Sequence, residues 1–95
     1  MNTVMLTKQV NSVKSEELWE RVCVVIPMYR AEPYIQEVIR NVPDWVWQII
    51  AVDDCSPDSC AKKVQELNDP RVIVISHQEN QGVGGAMLTG LNKAL

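Results

Sequence analysis

Three stretches of this chain are apolar with little interruption, and each gives way to polar residues at its end. Residues 22–26, 45–52 and 71–75 are rich in β-branched side chains and lack the alternation of a half-buried strand. Each therefore reads as a strand covered on both faces. Pro27 closes the first, because proline cannot donate to a ladder. In the second, Trp45 and Trp47 are expected to cover the end of the sheet. Between strands the period changes: Ile35, Val38, Ile39 and Val42 follow the i, i+3, i+4, i+7 spacing of an amphipathic helix that Glu32 and Pro33 can start. Ser56-Pro57-Asp58 turns into a second helix with Ala61, Val64 and Leu67 on one face, closed by Asn68-Asp69-Pro70. After a polar loop, Gly82-Val83-Gly84-Gly85 opens a third helix whose apolar positions are Ala86, Met87, Leu91 and Ala94. Residues 1–14 hold no sustained period and read as a loose arm, with one helical turn over 15–20 capped by Ser15.

Strand and helix alternate three times, and right-handed crossovers turn that order into a three-layer α/β/α, Rossmann-like arrangement of about three parallel strands. The expected organisation is a partly disordered arm over residues 1–20 and one ligand-binding unit over 21–95. Ligands of such sheets bind beyond the carboxyl ends of the strands. The run Ile49-Ile50-Ala51-Val52-Asp53-Asp54 delivers two carboxylates to that edge.

Composition narrows the partners. Ninety-five residues, 46% of them hydrophobic, suffice for one small core. A formal charge of −3 with the nine Lys and Arg scattered argues against nucleic acid as a partner. No apolar run reaches the roughly 18 residues of a membrane span, nor does the N-terminus read as a signal peptide, so a cytoplasmic chain is expected. Cys23, Cys55 and Cys60 are odd in number and read as free thiols. Cys55, Cys60 and His77 match no zinc spacing, and no metal is assigned to the chain.

Adjacent strand residues point to opposite faces, so Asp53 and Asp54 need not share a task. A carboxylate at a strand end can accept from a nucleobase N–H or a ribose hydroxyl. Asp54 or Asp58 has the plainer alternative of capping the following helix. Asp53 is harder to explain so, because an acid closing an apolar strand needs a partner. Gly82, Gly84 and Gly85 lie where free N–H groups and a helix end attract phosphate, although neither GxGxxG nor GxxxxGK[ST] is present. The alternative is close packing. Tyr29 could stack on a planar base. A phosphoryl-accepting receiver domain is disfavoured, since the acidic pair follows the second strand and Ser76 follows the third.

Taken in order, Val24-Val25-Ile26-Pro27-Met28-Tyr29, then Val52-Asp53-Asp54-Cys55-Ser56-Pro57-Asp58, then Asn80-Gln81-Gly82-Val83-Gly84-Gly85-Ala86 resembles the start of the family 2 glycosyltransferases, inverting enzymes of the GT-A fold. The resemblance covers about residues 21–95. It implies that Pro27 and Tyr29 frame the base, that Glu32 lies near the nucleotide, and that Asp53 hydrogen-bonds the base. Asp54 would sit near the ribose or support the loop, and Gly84 with Gly85 would let the backbone approach ribose and phosphates. The implied substrate is a nucleotide-diphosphate sugar, used in cell-wall or polysaccharide biosynthesis, in a parent protein that could work at the inner face of the membrane.

Arg30 stands where the family usually has Asn, Cys55 where it has Gly, and Val83 where a Lys is common. The family's Asp-x-Asp run, which holds Mg²⁺ or Mn²⁺, and its carboxylate base come later than residue 95. No catalytic residue is therefore assigned, and the chain reads as the nucleotide-binding portion of a transferase, inactive alone. The competing reading is a non-catalytic nucleotide-binding or structural module. Self-association is expected in either case, as a homo-oligomer through helices or through the bare edge of the first parallel strand.

Overall fold

The computed structural model describes residues 5–9, as backbone, and 21–95. The expected helical turn at 15–20 lies outside them. The elements are β1 (Met5–Gln9), β2 (Arg21–Met28), α1 (Ile35–Arg40), β3 (Gln48–Asp53), α2 (Cys60–Gln65), β4 (Val72–Ser76) and α3 (Gly82–Ala94). The sheet order is β1-β2-β3-β4. β2, β3 and β4 are parallel, with Val24 beside Ile49 and Ile49 beside Val72.

Helices cover both faces, which is why the strands show no alternation. Val24, Ile26 and Met28 of β2 with Ile49 and Ala51 of β3 pack against Ile35 and Ile39 of α1 and against Cys60 and Val64 of α2. Cys23, Val25, Ile50 and Val52 face the other way, onto Ala86 and Ala94 of α3. Gly90 lies between those alanines in the buried stripe, and a methyl added to it would collide with Val25 Cγ1. The helix therefore sits as close to the sheet as a bare backbone allows.

Four expectations need correction. The loose arm contains β1, whose backbone pairs antiparallel with β2 from Met5–Val25 to Gln9–Arg21. The edge of the first parallel strand is thus covered along that length, and the argument for edge-to-edge association loses its premise there. Pro27 does not end its strand; β2 runs on to Met28. Residues of β2 that bond to β3 are the even ones, as Val22 and Met28 carbonyls show. Pro27 therefore turns its missing N–H toward the side where β1 has already stopped pairing.

Trp45 and Trp47 precede β3 rather than belong to it, and Val46 is the buried residue of the three. Trp45 is 66% exposed, and Trp47 lies under the guanidinium of Arg21, 4.9 Å from its ring centre. β4 is half-buried along its length rather than covered, because it is the sheet's outer strand. Among the described residues no helix is long and apolar enough to cross a membrane.

Candidate functional site

The carboxyl edge is built from three loops, following β2, β3 and β4, and the first two are tied together. The Arg30 amide donates to Ser56 Oγ at 2.8 Å, and the Glu32 amide donates to Asp58 Oδ2 at 3.0 Å. In return the Ser59 amide donates to Glu32 Oε1 at 3.0 Å. Asp58 Oδ1 also accepts from the Ser56 hydroxyl at 2.6 Å and from the Cys60 amide, so Asp58 caps α2 as one reading of it required. Burial alone would raise the Asp58 carboxyl; the Ser56 hydroxyl and the Glu32 and Cys60 amides more than offset this and hold it below the ordinary carboxylate value.

Asp53 and Asp54 part to opposite faces of the sheet, as their adjacency demands. Asp53 turns to the α2 side, where Oδ1 accepts from the Ser56 amide at 2.9 Å and lies 3.8 Å from Cys60 Sγ. Its Oδ2 takes no hydrogen bond among the described residues. Burial, then the Asp53 charge, push the Cys60 thiol up to about 11.

Asp54 is 3% exposed and turns to the α3 side. Its Oδ1 accepts from the Gln81 amide and from His77 Nδ1, both at 2.8 Å, and its Oδ2 accepts from the Gly82 amide at 2.8 Å. Asp54 therefore caps α3 from the end of β3, not the helix that follows it in sequence. A carboxylate only accepts, so Nδ1 of His77 carries the proton, and Nε2 meets Thr89 Oγ1 at 2.8 Å. Burial works against the charge of Asp54, but the His77 hydrogen bond and the two amides win, and its carboxyl lies below the ordinary value.

This changes the meaning of the glycine cluster. Two N–H groups at the start of α3 are already taken by a buried carboxylate, so the anion at this helix end is Asp54 itself. Gly82 is required by its backbone, at φ 82°. Gly84 has open space where a side chain would stand, whereas Gly85 is pressed against Gln81 Cβ, 2.7 Å from the position of an added Cβ.

Four of the seven sequence-predicted residues line two neighbouring depressions, and Asp53 is not among them. Pro27, Met28, Tyr29, Asp54, Val83 and Ala86 line a small hollow between the ends of β2 and β3 and the first turn of α3. Arg30, Glu32, Pro33, Pro57, Asp58 and Lys63 line an open cleft of about 650 Å³ on the α1 and α2 side. Pro27, Tyr29 and Asp54 are thus brought together, Glu32 lies in the adjoining cleft, and Gly84 and Gly85 line neither. Arg30 and Cys55, where the resemblance departs from Asn and Gly, both sit in left-handed backbone, at φ 56° and 58°. Asn and Gly are the residues that conformation favours.

The family model described as Glycosyl transferase family 2 matches residues 23–95. The chain belongs to glycosyl transferase family 2. Members similar to it include the UDP-N-acetylglucosamine–dolichyl-phosphate N-acetylglucosaminyltransferase of Methanococcus voltae, 38% identical over 75% of this chain and 34% of that protein. The uncharacterized glycosyltransferase EpsJ of Bacillus subtilis is 35% identical over 77% of this chain and 22% of its own length. An Escherichia coli UDP-Glc:alpha-D-GlcNAc-diphosphoundecaprenol beta-1,3-glucosyltransferase, WfgD, is 32% identical over 77% of this chain and 30% of its own. The chain thus spans about a third or less of the family 2 relatives it matches. No solved structure matches the chain significantly.

The sequence assigns His77 no task, since with Cys55 and Cys60 it matches no zinc spacing. Its task depends on Asp54 and Thr89, 23 and 12 residues away. The only local signal is a lone histidine directly after an apolar strand.

Proposed function

We propose that this chain is the nucleotide-sugar-binding portion of an inverting glycosyltransferase, which moves a sugar from a nucleotide-diphosphate donor to an acceptor. The observation that carries the reading is the convergence of Pro27, Tyr29 and Asp54 on one hollow at the carboxyl edge, with Asp53 at the same strand end but turned to the α2 side, in a family 2 chain. Tyr29 is 39% exposed and offers a ring face to a base. Asp53 Oδ2 is the acceptor left for a base N–H or a ribose hydroxyl.

Mg²⁺ or Mn²⁺ on the donor diphosphate is part of this proposal, but Asp53 and Asp54 do not fit such an ion. Asp54 spends both oxygens on N–H donors and Asp53 spends one on Ser56. Among the described residues no group of three acids, cysteines or histidines could hold a metal. The transfer step is assigned to no residue of this chain, and we read the chain as binding without transferring. The acceptors named for two relatives are a dolichyl phosphate and a diphosphoundecaprenol-linked sugar, so a lipid-linked acceptor on the route to a surface polysaccharide is the acceptor class we favour.

Titration calorimetry with UDP, GDP and TDP tests the reading. Binding at millimolar concentration or tighter, weakened in Asp53→Asn, is expected; no binding of any of the three by a stably folded chain refutes it. A self-associating module is the second reading, favoured by the exposed Leu88 of α3 and Leu95 directly after it. Light scattering that gives a monomer across a wide concentration range removes it.

A further inference from the structure

A nucleoside diphosphate brings about three negative charges at neutral pH to whatever holds it. The carboxyl edge is poorly suited to that. Across its three loops and the strand ends that feed them it carries Glu32, Asp53, Asp54, Asp58 and Glu79. The start of α3 offers no relief, since Asp54 occupies two of its amides and Val83 is apolar.

Among the described residues of these loops, Arg30 is the one permanent cation. Its guanidinium lies 5.5 Å from the centre of the Tyr29 ring and has no carboxylate at ion-pair distance among the described residues. Its backbone is held at φ 56°, a costly conformation for arginine, by the amide's hydrogen bond to Ser56 Oγ. Strain kept at one position beside a cleft points to a task for its side chain. Glu32 accepts from the Ser59 amide and Asp58 from three donors, and neither lies at ion-pair distance from Arg30.

We propose that Arg30 is the phosphate-binding residue of this site and selects phosphorylated nucleotides over nucleosides. The inference rests on the nucleotide reading given above. The guanidinium lies over the Tyr29 ring, so a single side chain would border both the base that Tyr29 is proposed to hold and the phosphates. Arginine suits this because its planar fork can donate two parallel hydrogen bonds to a phosphate.

Calorimetry in low salt with EDTA, on the full chain, compares UDP, GDP and TDP with uridine, guanosine and thymidine for wild type, Arg30→Asn and Arg30→Lys. Asparagine tolerates the left-handed backbone, so Arg30→Asn should melt no lower than wild type. It should lose about tenfold in diphosphate affinity, as expected for a charge-assisted pair, and keep its nucleoside affinity. Arg30→Lys should fall between them. Equal diphosphate binding by wild type and Arg30→Asn overturns this inference alone and leaves the nucleotide reading standing. Parallel losses for diphosphate and nucleoside overturn it too, because Arg30 would then act only by holding Tyr29. Failure of the wild type to bind any diphosphate removes both.

Discussion

Asp54→Asn keeps the shape of the side chain and removes its charge. Three donors converge on the carboxylate: His77 Nδ1, the Gln81 amide and the Gly82 amide. An asparagine oxygen can still serve His77 and Gln81, but its NH₂ then meets the Gly82 N–H, donor against donor. The Gly82 N–H keeps its second bond, to Asn80 Oδ1 at 3.1 Å, so the donor clash costs about 1–2 kcal/mol, and weakening two charge-assisted hydrogen bonds to neutral ones adds roughly 1 kcal/mol. We expect a loss of about 2–3 kcal/mol at pH 7, or about 10–20 °C in Tm for a domain of this size. Urea unfolding followed by far-UV circular dichroism measures it. The pH dependence gives a second check. The folded Asp54 carboxyl lies below its unfolded value, so its contribution is complete above the unfolded pKa of about 3.9 and is lost as pH falls through the folded value. The part of the gap between wild type and Asp54→Asn that comes from the Asp54 charge should close as pH falls below about 4. A variant within 0.5 kcal/mol of wild type at pH 7, or a gap unchanged down to pH 3, would refute the reasoning.

Two further outcomes are expected. Cys55→Gly relieves the left-handed backbone at φ 58° and should be more stable than Cys55→Ala by roughly 0.5–1 kcal/mol in chemical denaturation, while Cys55→Ala itself changes little because only an exposed 3.5 Å contact to the Gln78 carbonyl is lost. Gly90→Ala forces α3 away from Val25, whose Cγ2 and Cβ would also lie only 3.2 and 3.3 Å from the new methyl, and should cost about 1–3 kcal/mol by thermal melting; an unchanged Tm would show that α3 can shift freely.

The sequence pattern carried the architecture. Val22 to Ile26 and Ile49 to Val52 are apolar and continuous because helices cover both faces of the sheet, and that cause is local enough to read; Val72 to Ile75 carries the same pattern although its strand is only half-buried. The misses arise where the deciding partner is distant. Pro27 stays in β2 because of where β1 stops, and Trp45 and Trp47 are outside because Val46 fills the core position. The site divided similarly. Pro27, Tyr29 and Asp54 meet as their strand ends suggest, but Asp54 serves a helix three elements on, which spacing cannot reveal. Of the glycine cluster, the Gly82 amide is filled by Asp54 from 28 residues away, which spacing does not reveal either.

The ties between the loops after β2 and β3 bear on how the chain can vary in length. Surface loops ordinarily accept insertions at small cost. Here Arg30 is fastened to Ser56, and Glu32 to both Asp58 and Ser59, so an added residue in either loop would unfasten the other. Lengthening should be tolerated after β4 at Gln78 and Glu79, whose side chains make no hydrogen bonds among the described residues, and resisted in the first two loops.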